Sequence, residues 1–311
     1  MVAGRKAKMP VAQLYLLITS LAILSIIVSG QYYLPQRDEC GTLNRDYFYN
    51  QKRITGLGEF PWIGRVLYIN KTDNTMWYQC YSVLINKWFV LLNAYCLYHT
   101  SNEPVNVLLG DWDHGNHRLK SDCDDSGRCA PVPKLYKIDE IIPYRNCSCK
   151  NRKKSIALVR LNEPVMYSDF IRPICLPSKD RVQMDFNNQL LEVTGWLNFK
   201  SNETIPAKSF ARVVKLNTCE LRLRNEYQID MGKNICALTC WDDNIYFSGS
   251  VLMDTIVVGE EPENYYLIGL TLYAQDKCDL RIPHVYNRVD RYLDWIYEIT
   301  NKEALLVKPR K

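Results

Sequence analysis

The sequence predicts an all-β fold: a barrel or sandwich of many short strands, closed by one helix at the end of the chain. Three observations predict it. Nine short apolar or aromatic runs follow residue 53, each bounded by Asn, Asp, Gly or Pro. Twelve cysteines all fall after the first thirty residues, where an export signal reads them as disulfides. Only one stretch, near the C-terminus, carries helical periodicity.

In chain order, residues 1–30 have a basic start, an apolar run from Val11 to Val28, and small residues before Gly30. This is a secretory signal pattern with cleavage after Gly30. The run is also long enough to span a bilayer, so an uncleaved signal anchor is the rival reading. Residues 31–53 are polar, contain Cys40, and are too few for a compact domain. The predicted strands are then WIGRVLYI, SVLINKWFVLLNA, VNVLLGDW, IDEIIPY, IALVRL, LLEVTGW, ARVVKL, TIVVG and YYLIGLTLY. Short, evenly spread strands in a disulfide-bearing chain suit a barrel or sandwich. At the end, Val289, Tyr292, Leu293 and Ile296 recur at helical spacing. Residues 301–311 read as a solvated basic tail, and no repeat of fixed period is present.

Composition narrows the partners. The 311 residues carry 39 Lys and Arg against 34 Asp and Glu, a net charge of +5. Removing Arg5, Lys6 and Lys8 with the signal leaves +2. No basic stripe with interleaved aromatics is present, so nucleic acid is not an expected partner. Sequons at Asn70, Asn146 and Asn202 agree with export and predict N-glycosylation. Cys147 and Cys149 form a C-x-C, yet no His/Cys set completes a zinc site. Asp122, Asp124 and Asp125 flank Cys123 and read as a solvated loop in preference to a calcium site. No metal and no cofactor is expected.

Seven ordered stretches together resemble the trypsin-like serine proteases of the chymotrypsin fold, over about residues 40–300. RITGLGEFPWIG is similar to the activation site, LLNAYC to the histidine motif, and SIALVRLNEPV to the aspartate motif. RPICLP and VTGWL match the middle of the domain. YFSGSVL resembles the serine motif, and HVYNRVDRYLDWI the last strand and helix. The resemblance implies two Greek-key six-stranded β-barrels packed together, with a C-terminal α-helix. It assigns residues 54–300 to that domain and 31–53 to a light-chain-like segment. It also implies cleavage between Arg53 and Ile54.

The catalytic positions depart from the family. An imidazole relays the proton between serine and leaving group in such enzymes. Tyr95 stands in its place, and a phenol with a pKa of about 10 is a poor base at neutral pH. The chain has four histidines, His99, His114, His117 and His284, and none sits at that position. Ser155 replaces the aspartate that orients the imidazole. Ser248 keeps the nucleophile's hydroxyl, but Tyr246 and Phe247 replace the glycine and aspartate that shape the oxyanion hole. Asp242 and Asp243 lie in a stretch whose spacing differs from that of the family's specificity pocket. Leu272 to Ala274 stand where the family pairs with substrate backbone.

The resemblance also implies a disulfide frame: Cys40 with Cys175, Cys80 with Cys96, Cys219 with Cys236, and Cys240 with Cys278. Cys123 and Cys129 close a local loop of the kind found in arthropod haemolymph proteases, and Cys147 and Cys149 stay open. The expectation is a secreted, non-catalytic protease homologue, a cofactor or regulator in an extracellular proteolytic cascade such as innate immunity. Its partners would be extracellular proteins, active serine proteases among them. Two rival classes stand beside it. One is a hydrolase with atypical chemistry at Ser248; the other is a membrane-anchored adhesion or receptor-like module, should the signal be retained.

Overall fold

The computed structural model describes residues 34–50, 52–97, 102–115, 120–144, 155–178, 184–196, 204–223, 226–239, 250–258, 261–274 and 281–306. After a short helix α1 (Arg45–Tyr49) come β1 (Ile63–Asn70), β2 (Met76–Leu84), β3 (Phe89–Asn93), β4 (Asn102–Leu109), β5 (Lys134–Pro143) and β6 (Ile156–Leu161). The second half contains β7 (Leu190–Gly195), β8 (Ala207–Val214), α2 (Leu216–Leu223), β9 (Asn234–Leu238), β10 (Val251–Val258), β11 (Glu261–Tyr273), β12 (His284–Arg288) and α3 (Leu293–Leu306).

The strands close into two six-stranded antiparallel barrels, ordered β1-β2-β3-β6-β5-β4 and β10-β11-β12-β9-β8-β7. Written from its first strand, the second barrel repeats the order of the first. Closure removes the sheet edges that would otherwise expose unpaired backbone.

Alternation within each strand supplies the cores. The largest buried cluster joins strands of the first barrel to Trp196, Val251, Met253, Tyr265, Leu267 and α3, so it runs through the seam between the barrels. Trp62, with none of its surface exposed, meets Tyr265 with ring centroids 5.6 Å apart. Tyr81 stacks on Trp196 across the same seam, with centroids 5.2 Å apart and planes 15° apart. Each aromatic buried here contributes about 1.5–3 kcal/mol of apolar transfer, so the seam has the character of a core.

The structure corrects the strand assignment in three places. The run SVLINKWFVLLNA is not one strand: β2 ends at Leu84 and β3 begins at Phe89. The reason lies in Asn86, whose Oδ1 accepts from the backbone N–H groups of Trp88 at 2.8 Å and Phe89 at 2.7 Å, making an Asx turn. The short strand β9 was not expected, because NICAL lacks the length of a clear apolar run. The C-terminal helix opens with a 3-10 turn at Val289–Tyr292 and continues to Leu306, past the start expected for a tail at residue 301. Val289, Tyr292, Leu293 and Ile296 are all buried, as their spacing predicts. Tyr144 meets Tyr292 and Trp295 edge-on, at 4.9 and 5.3 Å.

Among the described residues four disulfides are closed: Cys40–Cys175, Cys80–Cys96, Cys123–Cys129 and Cys219–Cys236. Cys40–Cys175 fixes the N-terminal segment to the second barrel. Gly41 beside it has φ +57°, and a Cβ there would lie 2.2 Å from the Tyr265 carbonyl oxygen. Only glycine fits so close an approach in that backbone conformation.

Candidate functional site

The site forms where the end of β3 meets the start of β6. The register pairs Asn93 with Ile156, so the next residue, Ala94, donates its N–H to the Ser155 carbonyl at 2.8 Å. Tyr95 follows in a 3-10 turn, Ala94–Leu97. That turn is held by Cys80–Cys96 and by the Tyr68 hydroxyl, which donates to the Cys96 carbonyl at 2.9 Å. Tyr95 is half-buried against the first barrel's core, and Ser155 is 3% exposed. The strand pairing therefore places Tyr95 one residue from the backbone contact with Ser155.

The second barrel completes the set, and Asn287 and Thr271 in it are residues that the sequence did not single out. Asn93 Nδ2 donates to the Thr271 carbonyl at 2.6 Å, crossing from one barrel to the other. Asn287 Nδ2 donates to Asn93 Oδ1 at 2.9 Å and to the Ser155 carbonyl at 3.3 Å. Tyr292 donates its hydroxyl to Asn287 Oδ1 at 3.4 Å. Ser250 and Thr271 share a hydroxyl–hydroxyl bond of 2.5 Å, and the Thr271 N–H donates to the Ser250 carbonyl at 2.9 Å. These described bonds run between amides, hydroxyls and carbonyls. Such a network satisfies buried polar groups and fixes the barrels relative to each other. The only sequence signal was an asparagine inside each of two apolar runs, LLNAYC and HVYNRV.

Two of the four histidines are described, and neither belongs to this network as described. His284 lies in β12 opposite Ala237, three residues before Asn287, so the two side chains leave opposite faces of the strand. Burial pushes its pKa down to about 4, keeping it neutral. His114 is half-buried in the loop after β4, and burial first, then Arg65, lowers its pKa.

Leu272 and Tyr273 end β11 at a bulge, with Ala274 just beyond it: Thr271 pairs with Tyr286 but Tyr273 with Val285. Bulges of this kind re-aim side chains at barrel rims. Tyr273 packs on Tyr227 with centroids 4.9 Å apart and donates its hydroxyl to Glu226 Oε2 at 3.1 Å.

The candidate cleavage segment is paired, not free. Arg53 is exposed, yet its carbonyl accepts from the Lys208 N–H at 2.7 Å. Ile54 bridges Ala207, and the Thr55 N–H donates to the Pro206 carbonyl at 3.0 Å. Beneath it, the Lys208 ammonium pairs with Glu59, both side chains less than 10% exposed, and also donates to the Tyr47 carbonyl at 2.8 Å. Glu59 accepts the Gly56 N–H at 2.7 Å. Burial raises the Glu59 pKa, opposed by Lys208. Nearby, burial pushes Glu192 up to about 7, while the Tyr265 hydroxyl donates to it at 2.7 Å.

The acidic loop is structural. Asp122 is buried, and its Oδ2 accepts the N–H groups of Trp112 at 2.8 Å and Asp113 at 3.0 Å. Asp124 Oδ1 closes a turn on Ser126 and Arg128 at 3.0 Å each. Among the described residues, no group of three or more His, Cys, Asp and Glu side chains is arranged to hold a metal. Asn70 lies at the end of β1, its Oδ1 accepting the Thr72 N–H at 2.8 Å. Several expectations lie outside the described residues: the signal segment 1–30, His99, His117, Asn146, Cys147, Cys149 and Asn202. So do Cys240, Asp242, Asp243, Tyr246, Phe247, Ser248 and Cys278.

Comparison with known proteins places this arrangement. The family profile described as "Trypsin" matches residues 52–296. The chain is 30% identical to the Spaetzle-processing enzyme of Drosophila melanogaster, covering 85% of this chain and 68% of that protein. It is 32% identical to Melanization protease 1 of the same fly, covering 86% and 69%. It is also 32% identical to Phenoloxidase-activating factor 3 of Holotrichia diomphalia, covering 85% and 75%. Among solved structures it resembles the Drosophila Grass clip serine protease of the Toll pathway. That likeness has a TM-score of 0.69 and 18% identity, covering 90% of this chain and 79% of the other; it bears on fold alone.

Proposed function

The chain belongs to the trypsin family, and from that premise we propose that it serves there as a non-catalytic member. It is a secreted cofactor or regulator that acts by binding proteins in an extracellular proteolytic cascade. The observation that carries this reading is the site beside Tyr95. The position that orients the base in active relatives is Ser155, buried in a network of amides and hydroxyls. A phenol and an uncharged serine supply neither the base nor the charge that stabilises an imidazolium. Four disulfides suit an oxidising, extracellular setting. The relatives' own names speak of processing, melanization and phenoloxidase activation, which supports a place in a cascade of that kind. Active serine proteases are the partners this reading expects.

The test is direct. The purified protein, before and after cutting at Arg53, is offered arginine peptide esters and a serine-reactive phosphonate. Neither turnover nor labelling above that of Ser248→Ala is expected. Turnover that disappears in Ser248→Ala would make the protein an enzyme and end the proposal.

A further inference from the structure

We infer that the intact chain latches its own Arg53–Ile54 bond shut, with Tyr47 of the N-terminal segment as the clasp. It follows that a trypsin-like protease cuts there only after that segment has lifted. The inference rests on reading Arg53–Ile54 as a cleavage site, but not on the loss of catalysis.

A serine protease binds its substrate extended, and the scissile carbonyl must point into an oxyanion hole. Here the Arg53 carbonyl is already engaged by the Lys208 N–H at 2.7 Å. On the far side of the bond, the Thr55 N–H is held by the Pro206 carbonyl at 3.0 Å. The exposed guanidinium can be recognised while the bond itself cannot be presented. The anchors, Pro206 and Lys208, stand at the N-terminal end of β8, ahead of its pairing with β9, so presentation means peeling residues 53–55 from a barrel.

Tyr47 holds that segment down from above. Its ring covers Gly56 so closely that a Cβ at Gly56 would lie 2.3 Å from ring carbons. Its carbonyl accepts from the buried Lys208 ammonium at 2.8 Å. Its hydroxyl accepts from Arg128, in the loop closed by Cys123–Cys129, and the same guanidinium reaches the Leu57 carbonyl at 3.1 Å. Glu59 ties the back of the segment to Lys208 and to the Gly56 N–H. The light segment, the small disulfide loop and β8 thus all meet on residues 53–59. Removing one partner of such a buried ion pair leaves the other charge buried and unpaired, so a single change at Lys208 should loosen the segment. Cys40–Cys175 anchors the segment at its other end, so lifting α1 does not release it.

Proteolysis through a transient opening follows the population of the open form when closing is fast. Trypsin digestion of the full secreted chain therefore reads the latch, as the rate of appearance of an N-terminus at Ile54. Wild type should be cut far more slowly than a free peptide covering residues 49–58. Tyr47→Ala, Gly56→Ala and Lys208→Met should each accelerate the Arg53 cut roughly tenfold to a hundredfold. Tyr47 belongs to neither barrel, so its acceleration has to be confined to Arg53. Equal acceleration at every tryptic site would overturn the latch, and so would variants cut at the wild-type rate. Wild type cut as fast as the peptide would overturn the latch but leave the cleavage site standing. No cut at Arg53 in any variant would overturn both.

Discussion

A carboxylate placed at Ser155 tests whether this site has lost its tolerance for charge. Ser155 is 3% exposed, and its carbonyl already receives Ala94 and Asn287. The Asn93 amide donates to the Thr271 carbonyl, and the Asn287 amide to Asn93 Oδ1 and the Ser155 carbonyl. In Ser155→Asp the new carboxyl sits at a position almost wholly withdrawn from solvent, so burial should raise its pKa by about three units, worth about 4 kcal/mol. The sign follows from proton binding. The folded state would hold the proton more tightly than the unfolded state, whose pKa is about 3.9. Stability should then fall by about 1.4 kcal/mol per pH unit between about pH 4 and pH 7. Ser155→Asn carries a similar volume without the charge, so the difference between the two variants isolates ionisation. Urea unfolding at pH 5 and pH 7.5 measures it. Equal losses for both variants at both pH values would refute the reasoning, because the site would then still receive a carboxylate as an active protease does. Adding Tyr95→His should restore part of the loss at pH 7.5 by supplying an opposite charge. It should still produce no hydrolysis, since triad members act only with an intact oxyanion hole. Turnover by that double variant would contradict the reading of Tyr246 and Phe247.

Glu192 provides a second titration. Its pKa of about 7, raised chiefly by burial, lies above the ordinary carboxylate value, so the stability tied to its protonated form is present below about pH 4.5 and lost as pH rises through about 7. Glu192→Gln should match wild type near pH 5 and exceed it at pH 8 by up to about 3 kcal/mol, read by denaturant unfolding. A pH profile unchanged by the substitution would refute the assignment. Calcium at millimolar levels, or its chelation, should leave the melting temperature unchanged, because Asp122 is occupied by Trp112 and Asp113. Asp122→Ala should instead cost about 1–3 kcal/mol by leaving two part-buried N–H groups without their acceptor, measured by thermal unfolding. A calcium-dependent stabilisation lost in that variant would make the loop a metal site.

Much of the fold was legible because it rests on local pattern. Alternating apolar runs mark strands, since side chains alternate across a sheet, and the 3.6 period of Val289, Tyr292, Leu293 and Ile296 marks the helix face that the seam buries. The short strand β9 and the turn at Asn86 were not legible. Five residues hold too little pattern, and a side-chain-closed turn interrupts an apolar run without Gly or Pro.

The sequence by itself determined the chemistry available at Tyr95 and Ser155, because the identity of a side chain needs no coordinates. It also determined an export-compatible, cysteine-rich chain. Tertiary structure alone decided what surrounds those positions. Asn287 and Asn93 are 194 residues apart in the chain, and Lys208 and Glu59 are 149 apart. Neither pairing leaves a periodic trace, because each is made by closing two barrels and docking them. A buried polar group has to find its partner wherever the packed backbone delivers one, and that address is written in the fold.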